Sequence, residues 1–264
     1  MPAIDLSDTL CLHYEEANPT GSPPVLLLHG LGSAGGDWML QFGPLTDAGY
    51  RALAPDLRGF GRSSAPPEVT IQAMAEDMAL FLEQMTAAPA HVVGISMGGA
   101  VAQQLALDHP EMVRRLVLVN TAAHLRPRNL SGWLYVLARA VLAFVISPER
   151  QAELVAKRLF PRPEQEVLRK NIYQRIVRTN PCAYRSAMRS IMRLDLRGRL
   201  GELRMPVLVV TGAEDTTVPP PVQEELARGI PGARHVVVEG SGHGIIVDNP
   251  VAFNRILLEF LGEG

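Results

Sequence analysis

The amino-acid sequence predicts an α/β protein: a mostly parallel, doubly wound sheet with a helical segment inserted late in it. Three observations carry this. Short β-branched runs alternate with helix-like patterns, the mark of βαβ units. Several of those runs are apolar without alternation, as strands buried on both faces are. From about His124 to Leu203 the alternation stops, and helical patterns punctuated by Pro127, Pro148, Pro161, Pro163 and Pro181 take over.

In order, Leu10 to Glu15 has the character of a strand, and Asn18 to Pro24 that of a turn-rich hairpin connection to a second strand, Val25 to Leu28. A helix is expected over Asp37–Ala48 and a strand over Tyr50–Pro55. Ile71, Met74, Ala75, Met78, Leu82 and Met85 recur at helical spacing. Strands at His91–Ile95 and Val113–Val119 flank a helix over Gly98–His109. Val207–Thr211 and His235–Val238 complete the expected strands. A last helix runs from Pro250 to Leu261, with Asn249 placed to cap it and Pro250 in its first turn.

Length, composition and charge narrow the function. The 264 residues are 47% hydrophobic and 20% charged, enough apolar content for a large core. A formal net charge of −2 argues against a nucleic-acid binder, which shows a basic excess. Arginines are dense between Arg126 and Arg204, but acids are interleaved, so they mark solvated helix faces. Cys11 and Cys182 stand far apart and form no C-x-x-C pair, which fits a reducing compartment. The opening MPAIDLSDTLCLHYEE lacks a basic-then-apolar leader. The apolar run Trp133–Ile146 is interrupted by Arg139 and falls short of the ~20 residues a membrane span needs. The expectation is a soluble, cytoplasmic protein with no membrane span and no nucleic-acid partner. The sequence does not specify an oligomeric state.

The chemistry begins at Gly94-Ile95-Ser96-Met97-Gly98, between a strand and a helix. A serine at so sharp a turn projects its hydroxyl beyond the carboxyl end of the sheet, in a strained backbone conformation. Side chains two residues to either side would collide, hence Gly94 and Gly98. The dinucleotide fingerprint G-x-G-x-x-G does not fit, because Ser96 occupies its second glycine position. A nucleophilic serine needs a base, and the base needs an orienting acid. His13 lies within an expected strand, His91, His109, His124 and His235 begin or end expected elements, and His29 ends a strand beside Gly30. His243 lies instead in the glycine-flanked loop Glu239–Gly244, free to reach over the sheet. The acid is Asp215 or Glu214, both in the loop after Val207–Thr211, with Asp215 preferred. Backbone N–H groups of Met97, after the serine, and of Leu31, in a glycine-rich loop after an early strand, are the candidate oxyanion donors.

The chain resembles the α/β-hydrolase superfamily, in its branch of small bacterial esterases, lactonases and lipases. The marks are His29-Gly30-Leu31-Gly32, Asp56-Leu57-Arg58-Gly59-Phe60-Gly61-Arg62-Ser63, the elbow Gly94 to Gly99, Gly212-Ala213-Glu214-Asp215 and Gly242-His243, in that order. The resemblance implies an α/β-hydrolase core over residues 1–123 and 204–264. It implies a helical cap, residues 124–203, after the sixth strand. It assigns Ser96, Asp215 and His243 as a triad, and Asp56, Arg58 and Arg62 as loop-fixing residues. Position 96 is serine, so the aspartate-dependent dehalogenase and epoxide hydrolase chemistries of some relatives are not implied. Asn120-Thr121-Ala122-Ala123 looks like a segment of oxoadipate enol-lactonases, too short to carry over a substrate. Asp248-Asn249-Pro250 stands where many relatives have Glu-x-Pro.

The reaction implied is cleavage of a carboxylic ester through an acyl-enzyme on Ser96, calling for no cofactor and no metal. Lactone, thioester or carbon–carbon bond hydrolysis and cofactor-free perhydrolysis use the same triad, and a non-catalytic binding protein is the alternative of another class. The expected partner is a small ester with an apolar acyl group. Trp38, Trp133, Leu137 and Val141 are the expected pocket residues, with Leu31 and Met97 adding to the walls. The apolar run of the cap also admits a membrane-surface lid, an alternative to an acyl-binding wall.

Overall fold

A computed structural model describes residues 2–124 and 147–263. Eight strands form one sheet: β1 (Ala3–Ser7), β2 (Leu10–Ala17), β3 (Pro24–Leu28), β4 (Arg51–Pro55), β5 (Ala90–Ile95), β6 (Val113–Val119), β7 (Val207–Gly212) and β8 (Arg234–Val238). Their spatial order is β1-β2-β4-β3-β5-β6-β7-β8. The β1–β2 and β2–β4 pairs are antiparallel and all later pairs parallel. Asn18–Pro24 is therefore not a hairpin connection. β2 pairs with β1 and β4, and the chain crosses over to reach β3. β1 is missing from the sequence-based expectation, since a five-residue edge strand with only one buried residue gives little periodic signal.

Alternate residues of each central strand feed two cores. Leu26, Leu28, Val92, Leu116, Leu118 and Val209 face one side. There they meet α2 (Ile71–Gln84) and α3 (Met97–Asp108). Val25, Leu27, Val93, Val117, Val119 and Val210 face the other. That side holds α1 (Met39–Asp47) and the terminal helix. α2 starts where expected because Thr70 Oγ1 accepts from the Ala73 N–H at 3.2 Å. Its apolar stripe, Ile71, Met74, Ala75, Met78 and Leu82, is buried.

Between β6 and β7 the described residues are helical: α4 (Pro148–Leu159), α5 (Glu166–Arg178), α6 (Pro181–Arg193) and a short 3-10 turn, Arg197–Glu202. A lone antiparallel bridge, His124 to Asp195, joins the two ends of this insertion. The insertion is tied down by polar contacts. Arg175 on α5 pairs with Asp37 at 2.7 Å. Ser190 on α6 accepts from the Ile71 N–H at 2.9 Å. Arg162 pairs with Glu214. After β7 come α7 (Pro220–Gly229), α8 (Ile245–Asp248) and α9 (Pro250–Gly262). Asn249 stands at the start of α9 but does not cap it. Its side-chain amide donates instead to Ser241 Oγ at 2.9 Å. Among the described residues no helix is long and apolar enough to cross a membrane.

Candidate active site

The parallel strands all point the same way, so the loops after β3, β5, β6, β7 and β8 gather at one end of the sheet. β5 is buried along its whole length, and Gly94 pairs with Leu28 while Ile95 pairs with Val119. Ser96 follows at once, with φ 55° and ψ −116°, and α3 starts at the next residue. Only a turn without side chains at its flanks folds this way. A Cβ on Gly94 would fall on the Gly98 carbonyl, and one on Gly98 would fall on the Leu28 carbonyl. The strain at Ser96 is held by hydrogen bonds from the Ser96 N–H to Val119 O, 2.9 Å, and from Thr121 Oγ1 to Ser96 O, 2.7 Å. Met97 is the first residue of α3, where N–H groups have no intrahelical acceptor.

The loop after β3 is pinned by His29, which is fully buried. Its Nε2 accepts from the Leu57 N–H at 3.0 Å, so Nδ1 carries the proton and donates to Gly30 O at 2.8 Å. Burial holds its pKa below the ordinary imidazole value, which keeps the ring neutral. Asp56 fixes the adjoining loop, accepting from Gly35 N–H at 2.7 Å and Arg62 N–H at 2.9 Å. Arg58 forms a two-point pair with Asp77.

His243 and Asp215 meet across the loops that follow β8 and β7. His243 Nδ1 lies 2.8 Å from Asp215 Oδ2, and both residues are buried. The carboxylate is fully engaged. Oδ1 accepts from the N–H groups of Thr217 and Val218, and Oδ2 accepts from Gln223 Nε2 at 3.1 Å as well as from the imidazole. Glu214, the other candidate acid, is exposed and paired with Arg162. Ser96 and His243 line one cavity of about 270 Å³, together with Leu31 and Met97. Val155, Leu159, Ile172, Met188 and Ile191 close it from the insertion. A hydroxyl, an imidazole held by a carboxylate, and a helix N-terminus in one apolar enclosure make an arrangement suited to acyl transfer.

A family model described as the alpha/beta hydrolase fold matches residues 23–250. The chain belongs to the α/β-hydrolase family. It is 33% identical over 259 residues to a candidate carbamate hydrolase, RutD, of Variovorax paradoxus strain S110, covering 96% of each chain. Among solved structures it is similar to the enol-lactonase from Burkholderia xenovorans LB400, with TM-score 0.88 and 30% identity over 99% of this chain and 100% of that one. It is similar also to an esterase from Exiguobacterium antarcticum, with TM-score 0.89 and 25% identity over 99% of each chain.

In this hydrolase, Ser96, Met97, Leu31 and His243 come together at the cavity, with Asp215 behind His243. Trp38 does not join them. It is fully buried among the apolar residues beneath α1 and α9, its ring 6.2 Å from that of Phe253, and it has no place in the cavity wall. The preceding residue, Asp37, is the one that faces the cavity. Trp133, Leu137 and Val141 lie outside the described residues. Two buried amides at the site, Asn120 and Gln223, have no part in the sequence-based site. Asn120 carried a signal, a polar residue directly after the apolar strand β6. Gln223 carried none, because its helix α7 opens on Pro220 and Pro221 directly after Pro219 and is absent from the expected elements.

Proposed function

We propose that the chain is a serine hydrolase acting on carboxylic esters with an apolar acyl group, with residues 124–203 as a cap that selects that group. One observation carries the reading: His243, hydrogen-bonded to Asp215, shares a predominantly apolar cavity with Ser96. Ser96 Oγ attacks the ester carbonyl carbon while its proton passes to His243 Nε2. The negative charge on the carbonyl oxygen is received by the N–H groups of Leu31 and Met97. Collapse breaks the bond to the alkoxy oxygen, which leaves as the alcohol with the proton from His243. Water then attacks the acyl-enzyme and gives a proton to His243. The carboxylic acid departs, and Ser96 recovers its proton. Asp215 holds the imidazole tautomer and stabilises its cation.

Carbamates and lactones present the same carbonyl to the same three side chains. Relatives named for those substrates favour including both beside the esters. The test is a panel of p-nitrophenyl acetate, butyrate and octanoate, a lactone and an aryl carbamate, run beside a Ser96→Ala control. The expected result is turnover that depends on Ser96 and differs with acyl length. Equal rates on all three acyl lengths would remove the acyl-selective cap. Undiminished turnover by Ser96→Ala would remove the nucleophile.

A further inference from the structure

Asn120 follows the last residue of β6 and is fully buried, with φ 45°. Asparagine tolerates this left-handed conformation better than most residues do. Its side chain touches none of the reacting atoms proposed above, yet it joins the loops that hold them. Nδ2 donates to Gly242 O at 3.0 Å and to His243 O at 2.8 Å. Oδ1 accepts from the Gly212 N–H at 2.8 Å and lies 3.4 Å from Gln223 Nε2. Two carbonyls on one side and an N–H on the other leave only one orientation for the amide. The neighbours in sequence secure the serine: Val119 O receives the Ser96 N–H, and Thr121 Oγ1 donates to Ser96 O. Three consecutive residues therefore reach the serine turn, the end of β7 and the backbone of His243.

Gln223 extends the same network to the acid. It is also fully buried. Its Nε2 donates to Asp215 Oδ2 and, at 2.7 Å, to Val218 O, while its Oε1 accepts from Thr211 Oγ1 at 2.9 Å. That hydroxyl is in turn 2.9 Å from His235 Nε2. Each of these contacts is buried or partly so, where a missing partner costs more than an exposed one.

We propose that Asn120 is a positioning residue that sets His243 against Ser96 through the His243 main chain, and that Gln223 does the same for the Asp215 carboxylate. The proposal rests on Ser96 and His243 acting as nucleophile and base. It makes Asn120, which is not part of the cavity lining, a piece of the catalytic support and not a determinant of substrate. Asn120→Asp keeps the size and the acceptor for Gly212, but turns carboxylate oxygen toward two carbonyl oxygens.

The experiment compares the intact wild-type chain with Asn120→Asp, Asn120→Ala, Gln223→Met and Ser96→Ala, using p-nitrophenyl butyrate. Folding is checked by circular dichroism. The first readout is the separation of kcat from KM. The second is the downfield proton resonance of the His243–Asp215 hydrogen bond. Asn120→Asp is expected to lower kcat by about tenfold or more with KM little changed, the signature of misplaced catalytic groups. Gln223→Met is expected to lower kcat and to move that resonance. Should the Asn120 variants fail to fold, Gln223→Met alone decides. Folded variants with wild-type kcat and an unmoved resonance overturn the proposal. Full activity in Ser96→Ala would instead overturn the reading on which it rests, so the two failures are told apart.

Discussion

The two walls of the cavity are built in different ways. The sheet side supplies Ser96, Thr121 and His243 from loops whose buried polar atoms are closely hydrogen-bonded to one another. The insertion side supplies mainly apolar side chains, with Arg158 and Asn171 among them, from helices tied down by partly exposed ion pairs and by small buried residues such as Ala183 and Ala187. β5 is buried at every residue, whereas α5 has no buried residue at all. The difference teaches where each property resides. The proposed reacting groups need positions fixed within a fraction of an ångström, and a close-packed strand end is able to provide them. A wall that only has to be apolar and the right size tolerates looser packing.

Substitutions on the two walls should therefore fail in different ways. The largest effect is expected at His243. His243→Ala should lower kcat/KM for p-nitrophenyl butyrate by at least about a thousand-fold while the thermal midpoint stays close to wild type. A loss of only a few-fold would mean the sheet wall does not hold the base. Next is Trp38, beneath the sheet wall and outside the cavity. Trp38→Ala should cost about 3–5 kcal/mol in urea unfolding. The acyl preference of the molecules that remain folded should not change. A changed preference would put Trp38 back in the pocket.

His91 offers a test of the sheet by pH. It is buried at the start of β5, its ring stacked edge-on to Tyr50 at 5.8 Å. Burial, then Arg114 and Arg115, lowers its pKa to about 4. The unfolded chain binds this proton near pH 6.5 and the folded chain does not, so stability is full above 6.5 and is lost as pH falls toward 4. The loss attributable to this group between pH 7 and 5 is about 2 kcal/mol. Urea midpoints at the two pH values should show it in wild type and show less of it in His91→Leu.

Smaller effects are expected on the other wall. Ile191→Ala enlarges the apolar side of the cavity. It should shift the octanoyl-to-acetyl ratio of kcat/KM by about three- to ten-fold with little change in stability. The smallest concerns Glu153 on α4, which pairs with Arg150 and Lys157 in partly exposed geometry. Glu153→Gln should leave the thermal midpoint and the ester profile unchanged, since exposed pairs contribute little.

The same contrast separates what was legible in the sequence from what was not. The sheet wall was legible where a single strand and its turn carry the signal. The apolar β5 ending in Gly94-Ile95-Ser96-Met97-Gly98 needs no partner to be read. His243 and Asp215 stand out in the sequence because each lies in a loop just after a strand. Trp38 was misplaced because adjacent residues of the short 3-10 turn face opposite ways, Asp37 to the cavity and Trp38 to the core. Asn120 and Gln223 are 103 positions apart and meet only when β6, β7 and α7 bring them together. Three-dimensional adjacency of this kind leaves no periodic trace.

The central claim is that Ser96 is the reacting nucleophile, and one measurement addresses it directly. A fluorophosphonate probe is incubated with the intact protein, and the labelled peptide is identified by mass spectrometry. The account predicts a single adduct on Ser96, formed in step with the loss of ester turnover and absent from Ser96→Ala. It also predicts that His243→Ala labels far more slowly. An adduct on another residue, or undiminished labelling of Ser96→Ala, would contradict it.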